Sequence, residues 1–218
     1  RSPLARQRER GALLVTDGTF ATPALQRPIE HGADVVLHST TKYLGGHTDV
    51  QGGALVFARG GELFEQTLHV RKLAGGVTSP FNAWLVLRGI RTLAARMRVH
   101  SENGAKVAEF LASHPRVEAT FYPGLASHPG HEIARRQMSA FGGMLSFLVR
   151  GGRAEALAVT AKVRVFTPAT SLGGVESLIE HRNSSEGPRS RTAENLLRVS
   201  VGLEHAQDLI DDLAGALS

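Results

Sequence analysis

The stretch VVLHSTTKYLGGHTDVQGG at 35–53 decides the fold. It opens with a short β-branched run, closes that run in hydroxyl residues, and sets Lys42 ahead of glycines at 45, 46, 52 and 53. A run of this kind bounded by turn residues reads as a buried parallel strand. In open α/β sheets, ligands bind at the carboxyl ends of such strands. Ser39 and Thr41 can donate hydrogen bonds to a phosphate, and a lysine beside them can form a Schiff base with a carbonyl such as an aldehyde cofactor. Taken alone, Lys42 is equally an ordinary solvated lysine, and the glycines equally mark turns.

Outward from this stretch, apolar runs at 12–16 and 53–58 complete an α/β pattern. The first leads into Asp17, 25 residues before Lys42, an interval that suits a strand end, a crossover and the next strand end on one rim. A carboxylate there can keep a pyridine nitrogen cationic, although a turn or capping aspartate fits the same position. From about Thr92, Leu93, Met97, His100, Val107 and Leu111 fall near helical spacing and open a second domain. Strand-like runs follow at 117–122, 143–149, 176–180 and 196–201, with helices at 153–162 and along Ala206, Leu209, Ile210, Leu213, Ala214 and Leu217. This half reads as α+β. The polar segment 182–194 reads as a surface loop, with a lid as the alternative. Phe81 and Trp84 begin an apolar helix and are expected in the core.

Composition narrows the function. At 218 residues, 42% hydrophobic and 21% charged, the chain suits one or two globular domains. No apolar stretch approaches the roughly 18 residues of a membrane span. The basic segment RSPLARQRERGALL lacks a cleavage pattern, so no signal peptide and a cytoplasmic location are expected. Without cysteine there is no disulfide, thiolate metal site or thiol nucleophile in this segment. The +5 charge is dispersed along the chain, so no nucleic-acid partner is expected. His128 with His131, and His47 with Asp49, lack a convergent third ligand, so no metal is expected either.

Five segments in order resemble the pyridoxal-phosphate-dependent enzymes of Cys/Met metabolism: TDGTFATPALQRP at 16–28, GADVVLHSTTKYLGGHTDVQGG at 32–53, WLVLRGIRTLAARM at 84–97, SLGGVESLIEH at 171–181 and LLRVSVGLE at 196–204. The resemblance covers nearly the whole chain. It implies an α/β architecture, the C-terminal half of a fold-type I transferase, with 1–94 belonging to the large cofactor-binding domain and 95–218 forming a small α+β domain. It further implies that Lys42 is catalytic and holds pyridoxal 5'-phosphate as a Schiff base, that Asp17 pairs with the pyridine nitrogen, and that Ser39 and Thr41 bind the phosphate. Ser171 and Arg198 would hold the carboxylate of a small amino-acid substrate. Arginine suits that task, since its fork meets a carboxylate with two parallel hydrogen bonds; without the resemblance Arg198 reads as a surface arginine on an edge strand. Cystathionine synthase-like or lyase-like chemistry, by β- or γ-elimination or γ-replacement, and a homodimer or homotetramer belong to the same implication.

Two positions depart from the family pattern: Gly18 stands where asparagine is usual, and Thr170 where glutamate is frequent. Family members are also considerably longer, and their N-terminal half supplies a phosphate-binding glycine loop and an aromatic that stacks on the ring. Tyr43 and Tyr122 fit packing positions better than that stacking role. A fragment or truncated product is therefore expected, and a non-catalytic remnant that keeps only the fold and a subunit interface is the rival reading.

Overall fold

The computed structural model describes residues 11–218, so the basic stretch at 1–10 that the leader-peptide argument used lies outside the described residues. Three strands, β1 (Val15–Asp17), β2 (Val35–Ser39) and β3 (Gly53–Phe57), form the first sheet in that order. β1 and β2 are parallel, with Asp17 opposite Leu37, and β3 returns antiparallel, with Gly53 opposite Ser39. The first strand is shorter than the apolar run at 12–16. Its start is displaced because the Leu14 amide donates to Asp34 Oδ2 at 2.9 Å, outside the ladder. Between β1 and β2 run a short helix α1 (Thr22–Leu25) and a 3-10 turn (Pro28–His31), each with proline in its first positions, where no amide partner is needed.

Three helices follow: α2 (Glu62–Leu73), α3 (Pro80–Arg91) and α4 (Leu93–Ser113). Ser79 caps α3 by accepting from the Asn82 amide at 3.2 Å. Phe81 and Trp84 are not in the core: they are 66% and 58% exposed and stack on each other at 6.1 Å. The reason is where α3 touches the body of the protein. Gly89, near its C-terminal end, lies so close to the Leu44 and Gly45 carbonyls that no side chain fits there, and the N-terminal aromatics fall off that contact.

A second sheet holds β4 (Val117–Phe121), β5 (Met144–Val149), β6 (Thr167–Pro168), β7 (Leu178–His181) and β8 (Leu196–Ser200), in spatial order β4-β5-β8-β7-β6. Alternation along β5 buries Leu145, Phe147 and Val149. Helix α5 (His131–Gln137) precedes β5; α6 (Arg153–Lys162) and α8 (Ala206–Leu217) contribute Ala156, Val159, Leu209 and Leu213 to the same core. Strand β7 begins later than the run at 176–180, since the Ser177 amide goes to Glu204 Oε1 at 2.7 Å. A further turn of helix, α7 (Arg182–Glu186), opens the polar loop after β7.

Helix α4 belongs to both halves. Leu93 and Met97 join a core with Ala21, Leu25, Tyr43 and Leu172, whereas Val107, Ala108 and Leu111 join the core under the second sheet. Among the described residues, no helix is long and apolar enough to cross a membrane.

Candidate active site

Beyond the end of β2 the chain makes a tight turn over Thr40–Leu44, in which Lys42 breaks the helical path with φ −91° and ψ −133°. The turn is anchored from beneath. Tyr43 is fully buried and meets His100 edge-on at 5.0 Å. Arg96, only 5% exposed, donates from Nη1 to the Tyr43 carbonyl at 2.8 Å and from Nη2 to the Gly89 carbonyl at 2.7 Å. Among the described residues no carboxylate pairs with this guanidinium, so its charge is met by the two backbone carbonyls and by Thr92 Oγ1, to which Nε donates at 3.0 Å. From the other side Gly173, at φ 78°, comes so near that a Cβ there would lie 2.7 Å from the Tyr43 nitrogen.

So anchored, Lys42 donates from Nζ to Ser171 Oγ at 2.7 Å. Ser171 adopts φ 96°, a backbone region that non-glycine residues enter at a cost and that clusters at functional sites. Its carbonyl accepts from Arg198 Nη2 at 2.9 Å, and that same nitrogen donates to Glu180 Oε2 at 2.8 Å. The other oxygen of Glu180 accepts from Arg182 Nη1 at 2.8 Å, and Arg182 Nε reaches Glu186 at 2.9 Å. Arg198 is not on an edge strand, as a reading from residue type alone suggests: β8 lies between β5 and β7, which brings this side chain beside Glu180 in register.

Burial pulls the Lys42 ammonium below its ordinary range, and the nearby Arg198 charge adds to the fall while Glu180 opposes it. No carboxylate forms an ion pair with Lys42 among the described residues. An amine held by a hydroxyl, with a neighbouring guanidinium favouring loss of its proton, has the character needed to attack an aldehyde.

The remaining predicted residues lie around the same strand ends. Asp17 Oδ1 accepts from the Thr19 amide at 2.8 Å, and Thr19 Oγ1 accepts from the Ser39 amide at 2.8 Å, so Thr19 ties the aspartate to the tip of β2. Thr41 Oγ1 accepts from the Gly52 amide at 3.0 Å. Ser39 and Thr41 border different clefts: one of about 760 Å³ contains Ser39, His38 and Gly53, and another of about 760 Å³ contains Thr41, Thr170, Ser171 and Asn82. The structure thus joins Lys42, Ser171 and Arg198 directly, and places Asp17, Ser39 and Thr41 at the neighbouring strand ends. The group types that a phosphorylated pyridine aldehyde needs, an amine, hydroxyls and a carboxylate, are present along these strand ends, with the two hydroxyls bordering separate clefts.

Gly18 has a local reason. A Cβ there would lie 2.7 Å from His38 Cε1, so the buried imidazole fills the space a larger residue would take. The histidines considered as metal ligands are engaged with backbone: His131 Nδ1 donates to the Pro123 carbonyl at 2.8 Å, and His128 Nδ1 accepts from the Gly130 amide at 3.0 Å. His47 Nδ1 donates to the Gly45 carbonyl at 2.9 Å. Sequence reasoning missed Arg96, Glu180 and Arg182. Arg96 carried one available signal, an arginine four residues after Thr92 at the start of a long helix.

Comparison with known proteins bears on the chain as a whole. A family model for Cys/Met metabolism PLP-dependent enzymes matches residues 3–218. Cystathionine gamma-synthase of Mycobacterium bovis is 55% identical over 214 residues, covering 96% of this chain and 55% of that protein. Cystathionine gamma-lyase of Bacillus subtilis is 46% identical, covering 95% of this chain and 56% of that protein. A crystal structure of cystathionine gamma synthase from Xanthomonas oryzae pv. oryzae in complex with cystathionine superposes with a TM-score of 0.93 at 48% identity, covering 98% of this chain and 57% of that one. The chain therefore spans a little over half the length of the relatives it matches. With its sequence matched almost end to end, its fold superposed, and an amine, a hydroxyl and a guanidinium gathered at one strand end, the chain belongs to the Cys/Met metabolism PLP-dependent enzymes.

Proposed function

We propose that this chain carries the lysine-bearing part of a trans-sulfuration active site, acting on sulfur amino acids or activated homoserine by β- or γ-elimination or γ-replacement. The observation that carries the reading is the Lys42–Ser171–Arg198 cluster, which sets an amine of lowered basicity beside a cation suited to a carboxylate. Lys42 would hold pyridoxal phosphate covalently, Asp17 would face its ring nitrogen, and Ser39 and Thr41 would meet its phosphate. When bound, that group supplies an electron sink for a carbanion next to the substrate amine.

The rest is the work of the chain's own residues. Ser171 holds Lys42 Nζ in place by accepting its proton-bearing edge, and Arg198 offers charge to the substrate carboxylate. Released from the cofactor, Lys42 would take up the α-proton at Nζ, and burial lowers the share of that amine already protonated. A homodimer or homotetramer in the cytoplasm accords with this reading, as does a division of the chain at 94/95 into cofactor-binding and small domains.

Titration of the purified chain with pyridoxal phosphate tests the proposal by absorbance. The expected result is a saturable visible band that Lys42→Ala abolishes while the circular dichroism spectrum is unchanged. A band that persists in folded Lys42→Ala refutes the assignment. A wild-type chain showing only the spectrum of free cofactor supports the rival reading, a remnant that keeps the fold without a competent site.

A further inference from the structure

Arg198 has five N–H donors, and its two Nη2 hydrogens are already committed, one to Glu180 Oε2 at 2.8 Å and one to the Ser171 carbonyl at 2.9 Å. Nε and Nη1 make no hydrogen bond among the described residues, which leaves three donors for an incoming group. A planar guanidinium fixed through one nitrogen to two acceptors cannot rotate on its stem, so those acceptors decide where the remaining donors face. One acceptor is backbone, and the other is a carboxylate whose side chain is only 3% exposed.

Glu180 is itself fixed at both oxygens. Arg182 holds Oε1 at 2.8 Å, and Arg182 is held in turn by Glu186, so the polar loop after β7 is linked through Glu180 to Arg198. Glu180 has a second effect, since its charge opposes the fall in Lys42 basicity that Arg198 promotes. Arg198 and Arg182 thus share one buried carboxylate, whose charge also reaches Lys42, and Arg182 has Glu186 as a second partner. A surface ion pair has no need of that arrangement, whereas a site that must aim an arginine without neutralising it does.

We propose that Glu180 is a positioning residue: it aims Arg198 at a ligand carboxylate, and Arg182 keeps it aimed. This rests on the reading of Arg198 as the carboxylate-binding residue.

The test needs no bound cofactor. The intact chain is treated with phenylglyoxal, modification of Arg198 is followed by mass spectrometry, and protection is measured with glycine, which has an α-carboxylate, and with methylamine, which has none. In the wild type, glycine protects Arg198 and methylamine does not. In Glu180→Ala the glycine concentration for half-protection rises by about tenfold or more, the loss expected for a charge-assisted hydrogen bond that no longer orients its donor. In Glu180→Gln, which keeps an acceptor oxygen, the rise is smaller. Thermal melts ensure that each variant is compared while folded. A merely structural ion pair lowers the melting temperature of both variants and leaves half-protection unchanged, which overturns the proposal while the reading of Arg198 stands. No glycine protection in the wild type overturns both.

Discussion

Ser171 permits a sharp test of the geometry because its backbone and its hydroxyl act in opposite directions. A non-glycine residue at φ 96° carries a strain of about 1–3 kcal/mol. Its Oγ, 2.7 Å from Lys42 Nζ, returns about 1 kcal/mol, less than a fully buried charge-assisted bond because solvent competes at the half-buried amine. Ser171→Ala removes the bond and keeps the strain. Ser171→Gly removes both, at an added entropic cost of about 0.4–1 kcal/mol in the unfolded chain. The glycine variant is therefore expected to be more stable than the alanine variant by roughly 0.5–2 kcal/mol, or a few degrees in melting temperature for a chain of this size. Urea unfolding of both variants at one pH measures the difference. An alanine variant as stable as the glycine variant, or more so, means that Ser171 is not strained and that its placement against Lys42 is wrong.

Other consequences are open to direct measurement. Burial lowers the His100 pKa to about 4 from 6.5, with the nearby Arg96 charge adding to the fall and the Nδ1 donation to the Val201 carbonyl opposing it. Between those values the unfolded chain binds a proton that the native state refuses, so stability should fall by up to roughly 3 kcal/mol as pH drops from 6.5 to 4, and His100→Gln should flatten that part of the urea-unfolding profile. Arg96→Met removes the donors that hold the Tyr43 and Gly89 carbonyls; a loss of about 2–4 kcal/mol is expected, with Lys42 acetylation faster at fixed pH, and an unchanged rate means Arg96 does not anchor the turn. Gly18→Asn should cost about 1–3 kcal/mol because its Cβ meets His38, and pairing it with His38→Ala should recover part of that loss. Trp84, the only tryptophan and 58% exposed, should give solvent-like emission readily quenched by iodide; shielded emission means that another protein surface covers α3.

Much of this is legible in the amino-acid sequence, and the limits are physical. Helix α8 lies where the 3.6-residue period puts it, because Ala206, Leu209, Leu213 and Leu217 are buried along one face, whereas α6 buries only Ala156 and Val159. The lysine turn was legible because strand, hydroxyls and glycines are contiguous in sequence. Phe81 and Trp84 show the opposite case, since an apolar helix face says nothing of which neighbour covers it. Arg198 looked like an edge residue for a related reason: β8 becomes central only when β5 and β7 pair on either side, and strand order is a non-local property. Glu180 was invisible in SLIEH for the same reason, as a buried acid in a strand is recognisable only once its two arginines are brought beside it.

The long helix that feeds both cores has a mechanical consequence. Over its 21 residues α4 is a stiff rod of about 30 Å. Arg96 near one end grips the lysine turn, and the other end is embedded beneath the five-stranded sheet. Any tilt of that sheet must lever the turn with it. The two halves are accordingly expected to move as one body, so that a load on the sheet is felt at the amine of Lys42.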